Sequence, residues 1–181
     1  EMGFHLDGAR LFNALTETEQ TTRDYGAAVD SISVCLSKGL GCPVGSLLLG
    51  SRDFMHEARR VRKRFGGGWR QAGFLAAAGL YALDNHVERL SEDHAKARQL
   101  GKTLQEQPYV ATVAPVQTNV VVFNMTDPGR ETAFIDALLE RGVHAISLGQ
   151  GKLRMVTHLD VSMQDIDQAC EILTDLQAER W

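Results

Sequence analysis

The sequence predicts an α/β protein in two parts: a larger α/β portion over residues 1–105 that ends in a long connecting helix, and a small α+β unit over residues 106–181. Three observations carry this. Apolar runs of strand length alternate with stretches whose apolar residues recur at helical spacing. After Gln107-Pro108 the units become shorter, which places a boundary near residue 106. With 181 residues, 44% of them hydrophobic, the chain can bury the core of one large or two small domains.

Gly3 to Leu6 is a short buried strand, closed by Asp7-Gly8-Ala9-Arg10 before a helical or turn segment from Leu11 to Leu15. Thr16 to Arg23 is polar and is assigned to a loop. Ser31 to Leu36 alternates polar and apolar side chains as a strand does, and the chain then breaks at Gly39, Gly41 and Pro43 before a second strand from Val44 to Leu49. That connection is shorter than the dozen or more residues of a parallel crossover, so the two strands are antiparallel or lie in different sheets. The glycines do not form a dinucleotide fingerprint: Gly45 falls one place late, and a strand follows where a helix is required. Ser51 is placed to cap a helix running to about Arg64. Gly66-Gly67-Gly68 interrupts it, because each glycine inside a helix costs ~1 kcal/mol relative to alanine. A long helix then runs from Trp69 to about Leu104, with Phe74, Leu75, Ala78, Tyr81, Leu90, Ala97 and Leu100 near helical spacing.

In the small unit, Tyr109 to Val113 and Asn119 to Asn124 read as strands, followed by a helix from Arg130 to Arg141 with Phe134, Ile135, Leu138 and Leu139 inward. Gly142 stands where a helix-terminating glycine is expected. Val143 to Ser147 and Leu153 to Thr157 are two further strands. Ser162-Met-Gln-Asp165 is a capping-box variant opening a last helix that buries Ile166, Ala169, Cys170 and Leu173.

Several residues stand where chemistry can occur. Lys38 follows the carboxyl end of a strand, and a lysine held there in a pocket could attack a carbonyl; the alternative is a solvated loop lysine. Asp7 also closes a strand, at the end where ligands bind open α/β sheets, and its alternative role is to cap the following helix. Arg70 begins a helix, where amides and a fixed cation can hold an anion. Arg154 interrupts the apolar run Leu153-Arg-Met-Val-Thr and is either an edge-strand surface residue or a carboxylate clamp. Arg59, Arg60, Arg62, Lys63 and Arg64 form a basic run that reads as a solvated helix face or a phosphate or nucleic-acid contact. The six histidines, His5, His56, His86, His94, His144 and His158, match no catalytic motif.

Composition narrows the classes. A net charge of −4 gives no general attraction to nucleic acid or to an anionic membrane surface, and no apolar run approaches the ~20 residues that would span a bilayer. The three cysteines lack ligand or disulfide-framework spacing, which predicts no metal site and fits a reducing cytoplasm. The chain starts Glu-Met-Gly-Phe-His and is in a strand by residue 4, so a fragment or processed chain is expected.

Four segments taken in order, His5-Leu-Asp-Gly-Ala-Arg-Leu-Phe-Asn-Ala14, Ser33-Val-Cys-Leu-Ser-Lys-Gly-Leu-Gly-Cys-Pro-Val-Gly-Ser46, Gly66-Gly-Gly-Trp-Arg-Gln-Ala-Gly73 and Leu153-Arg-Met-Val-Thr-His158, resemble segments of the low-specificity L-threonine aldolases. The resemblance covers the carboxyl-terminal half of a family chain. It implies the aspartate-aminotransferase fold, with residues 1–105 as part of a large domain built on a mixed, mostly parallel sheet, and pyridoxal 5'-phosphate as cofactor. It further implies that Lys38 forms the Schiff base, that Asp7 pairs with the pyridine nitrogen, that Arg70 reaches the cofactor phosphate across a subunit interface, and that Arg10 and Arg154 bind the substrate carboxylate. The implied reaction is cleavage of threonine and related β-hydroxy-α-amino acids to glycine and an aldehyde. The implied partners are a small amino-acid substrate, further copies of the chain in a dimer or tetramer, and an amino-terminal half that carries the phosphate turn and the catalytic base. A non-catalytic fragment or assembly module, or another pyridoxal-phosphate lyase or racemase of the same fold, are the alternatives.

Overall fold

A computed structural model describes residues 2–176. The chain divides into two compact units, one up to Leu90 and one from Ser91 onward. This division falls earlier than the change of pattern near residue 106, for a reason visible in the cores. The single long helix expected from Trp69 to Leu104 is two helices, α4 (Gly73–Asn85) and α5 (Leu90–Gln105). Between them the backbone turns at His86, whose Nδ1 lies 2.6 Å from the Leu40 carbonyl oxygen. Beyond that turn Ala97, Leu100 and Leu104 of α5 are buried in the core of the second unit, so α5 belongs to the second unit's packing.

The first unit is built on a three-stranded sheet in the order β1-β2-β3. β1 (His5–Asp7) runs parallel to β2 (Ser31–Cys35), with Asp7 opposite Ser33. β3 (Ser46–Gly50) is antiparallel to β2, as the short connection requires. Leu11, Ile32 and Val34 form one small buried cluster, and Leu36, Leu40, Cys42 and Ala82 form another. Between β1 and β2 lie α1 (Leu11–Thr16) and α2 (Thr22–Ala28). The second of these was not expected from the polar stretch. Its signal is a capping box: Thr21 accepts from the Asp24 amide, and the Asp24 carboxylate accepts in return from the Thr21 amide. α3 (Arg52–Arg64) starts, as expected, from Ser51, which accepts from the Phe54 amide.

The second unit has a four-stranded antiparallel sheet, ordered β4-β5-β7-β6, formed by β4 (Val110–Val113), β5 (Val120–Met125), β6 (Ile146–Gly149) and β7 (Lys152–Val156). With α5 and two later helices, α6 (Glu131–Leu139) and α7 (Met163–Asp175), it is the α+β arrangement expected. Its core joins Tyr109, Phe123, Phe134, Leu138, Leu153 and Leu173, all at most 2% exposed. Two details differ from the helical-face expectation. Leu139 is 52% exposed, because Phe134 and Leu138 already define the buried stripe of a short helix. Cys170 is only partly buried beside Ala169. Gly142 ends α6 with a φ of +79°, a left-handed conformation that glycine adopts without strain.

The expected capping box of α7 is complete: Ser162 accepts from the Asp165 amide, and Asp165 Oδ2 accepts from the Ser162 amide and hydroxyl at 2.8 and 2.7 Å. These bonds favour the ionised carboxylate and hold Asp165 below its ordinary value, the side-chain bond contributing most. A depressed folded-state value stabilises above the unfolded carboxylate value of about 3.9 and ceases to do so as pH falls through the folded one. Ser162→Ala is expected to cost about 1 kcal/mol at neutral pH. Thermal melts should show that this penalty shrinks on acidification below about pH 4.

Candidate active site

The first unit brings together residues that are far apart in sequence. Asp7 is the last residue of β1. Lys38 stands just beyond the carboxyl end of β2. Because these neighbouring strands are parallel, an amine and a carboxylate are delivered to the same end of the sheet, the end where connecting loops form binding crevices. Both side chains are exposed. The expectation of a burying pocket around Lys38 is therefore not met within this unit, since the sheet ends beneath the lysine. The helix-cap alternative for Asp7 is partly realised: Oδ1 accepts from the Ala9 amide at 3.2 Å, which shapes the turn into α1.

Although its side chain is exposed, the backbone of the Lys38 turn is held closely. The Lys38 carbonyl accepts from Gly41, the Leu36 carbonyl from Cys42, and the Gly45 carbonyl from Leu36, each at about 2.9–3.0 Å. Leu36 and Leu40 anchor the turn below, against Ala82. Gly41 and Gly45 have φ of +70° and +124°. Gly39 serves a different purpose. A Cβ there would lie 2.5 Å from Oδ1 of the buried Asn13 and 3.0 Å from Leu90 Cδ2. Gly39→Ala is therefore expected to destabilise by about 1–3 kcal/mol and to displace Lys38, as overpacking forces the turn away from α1. A denaturant titration, with the m value unchanged, measures the first effect. Asn13 itself carried no signal in the sequence; only the contact with Gly39 shows that it supports the turn.

Arg10 occupies the cap position of α1, half-buried, one turn of chain beyond Asp7. Arg70 lies in the bend before α4, whose first residues have no side-chain cap. The expected helix start at Trp69-Arg70 is not met: the helix opens three residues later at Gly73, after the left-handed Gln71, so Arg70 precedes the helix and does not begin it. The three glycines before it let α3 fold back on its own end, with Gly67 and Gly68 lying under the stems of Arg62 and Lys63. In the basic run, His56, Arg59, Arg60, Lys63 and Arg64 share one exposed face, and Arg60 is paired with Glu57 at 3.6 Å. Among the histidines, His5 Nδ1 is 2.8 Å from Ser31 Oγ, and His94 is fully buried.

Arg154 belongs to the second unit. β7 lies between β5 and β6, so the edge-strand reading of Arg154 does not hold. Its cross-strand partners are Val122 and Ile146. The guanidinium Nε is buried and has no hydrogen-bond partner among the described residues. An unsatisfied charged donor among apolar neighbours is costly and suits an acceptor supplied by a ligand. The strand's end is fixed by Thr157, which donates to the Asp93 carbonyl at 2.6 Å, while Asn119 donates to the Thr157 carbonyl at 2.8 Å.

Comparisons with known proteins show what this chain is similar to. The model of the beta-eliminating lyase family matches residues 1–128. Low-specificity L-threonine aldolase 1 of Arabidopsis thaliana is 41% identical over 165 residues, covering 90% of this chain and 46% of the relative. The low specificity L-threonine aldolase of Escherichia coli K12 is 42% identical over 165 residues, covering 91% and 48%. The chain thus spans about half the length of the curated relatives it matches. Among solved structures, a putative L-allo-threonine aldolase from Listeria monocytogenes superposes with a TM-score of 0.74 at 20% identity, over 95% of this chain and 51% of the other. Leishmania major threonine aldolase gives 0.74 at 21%, over 96% and 51%. At these identities the structures speak to the fold alone.

Proposed function

Because the chain belongs to the beta-eliminating lyase family, we propose that the protein is a pyridoxal-phosphate-dependent aldehyde-lyase that cleaves L-threonine, L-allo-threonine and related β-hydroxy-α-amino acids to glycine and an aldehyde. The observation that carries this is the delivery of Lys38 and Asp7 to one end of adjacent parallel strands.

The donor set fits the cofactor. The Lys38 amine would hold its aldehyde carbon, and the Asp7 carboxylate, placed by β1, would keep a proton on the ring nitrogen. Arg70, in the bend before α4, would meet the phosphate. When bound, the cofactor supplies a ring that accepts the electron pair of the breaking Cα–Cβ bond. The chain's own residues orient that bond. Arg154, whose buried Nε has no partner among the described residues, would grip the substrate carboxylate through a planar, two-pronged contact, which holds the α-carbon in one orientation. Arg154→Lys keeps the charge and loses the fork, and is expected to raise KM for threonine by about tenfold with a smaller change in kcat. Steady-state assay of acetaldehyde release measures both.

The test is reduction of the complete protein with borohydride in the presence of pyridoxal phosphate, followed by peptide mass mapping. The label is expected on Lys38; a label elsewhere, or none, rejects the assignment. Product analysis with threonine, allo-threonine and phenylserine separates an aldolase from another lyase or racemase of the fold. A second reading follows from the coverage of 46–48% of the relatives: the segment alone is a non-catalytic assembly module. Threonine cleavage by the 181-residue chain alone would reject it. We further propose a cytoplasmic homo-oligomer, dimeric or tetrameric, acting in threonine catabolism and glycine formation. The free thiols of Cys35, Cys42 and Cys170 support the compartment.

A further inference from the structure

The second unit contains a cleft of about 440 Å³ on the helix side of its sheet, between the end of β7, the chain following α6, and α7. Met155 lies in its floor together with Val156 and Thr157 at the end of β7, and Arg154 is not among the residues that line it. Leu100, Ile166, Ala169 and Ile172 continue the apolar floor. A cleft of this size that joins an apolar floor to polar and charged groups has the dimensions of a small-molecule site.

The rim groups define the ligand. Arg141 has no ion-pair partner among the described residues and presents a full positive charge. Asp165 is occupied by its capping bonds to Ser162. His158 Nδ1 accepts from the Asp160 amide at 3.3 Å, which places the proton of the neutral ring on Nε2, as a donor. The Asp160 carboxylate is 84% exposed at the rim, with Oδ2 3.5 Å from His158 Nδ1. The cleft thus combines a cation with the donors of His158 and Gln168, a separate anion, and an apolar floor. A carboxylate, an ammonium group and an apolar side chain on one small molecule match these three features.

We propose that this cleft binds a free apolar α-amino acid as a zwitterion, with its carboxylate on Arg141, its ammonium group on Asp160 and its side chain against Met155, Ile166 and Ile172. A ligand there touches both β7, which carries Arg154, and α7, and so can act as an effector.

Titration of the isotope-labelled 181-residue chain, monitored by amide NMR, tests this without cofactor or substrate, so that its outcome is independent of the lyase reading. L-leucine is expected to bind saturably and to shift the signals of Val143, Met155 and Ile172. Arg141→Met should weaken leucine and isocaproate alike, by about tenfold, through the lost charged contact. Asp160→Asn should weaken leucine and leave isocaproate unchanged, and isoamylamine should bind more weakly than either. Both replaced side chains are at the surface, and circular dichroism checks that the variants fold. No saturation in the millimolar range, equal leucine affinity in wild type and both variants, or isocaproate binding as tightly as leucine would overturn the proposal.

Discussion

Lys38→Ala is expected to abolish both the visible cofactor band and threonine cleavage in the complete protein, while leaving its fold intact. The side chain is exposed, so its removal takes no packing from the core. The turn beneath is held by main-chain bonds and by Leu36 and Leu40, all of which alanine retains. The loss is thus confined to the amine that would hold the cofactor covalently. Absorbance after addition of pyridoxal phosphate, a coupled aldehyde assay and circular dichroism are measured on the same sample. Cleavage at the wild-type rate would reject the role assigned to Lys38. Partial recovery on adding a small primary amine would support it, because the missing group would then be supplied from solution.

Asp7→Asn should have the next largest effect, lowering kcat by roughly 10²–10³-fold, the range for removing one preorganised electrostatic partner. Asparagine has the same shape and retains an oxygen that can accept from the Ala9 amide, so the turn into α1 should persist. The carboxylate's charge is what disappears, and with it the support for a protonated ring nitrogen. The cofactor band should remain while turnover falls. An unchanged kcat would mean that Asp7 serves only as the turn's acceptor.

These two residues also show how much of the site could be read from the chain. Lys38 and Asp7 each follow an apolar run closed by glycine, and strand ends are legible in such local patterns. Arg154 was legible as an arginine in an apolar strand, but not as a central one. Whether a strand lies at an edge depends on its neighbours, and β5 and β6 are contributed from elsewhere in the chain. The division after Leu90 was hidden for a similar reason: helical spacing continues across His86, and only the burial of Ala97, Leu100 and Leu104 assigns α5 to the second core. α2 was missed because a capping box among polar residues has no apolar stripe to draw attention to it.

The α/β class, most strands and caps, and the antiparallel return after Lys38 were legible in the sequence alone. Those depend on side-chain alternation, glycine conformation and turn length, which are local. Only the tertiary structure decided that Asp7 and Lys38 share one end of a parallel pair, that Gly39 rests on Asn13, and that Arg154 has a buried, unsatisfied nitrogen. Each of these is a relation between distant residues. Packing and hydrogen-bond satisfaction are settled by the neighbours that folding supplies.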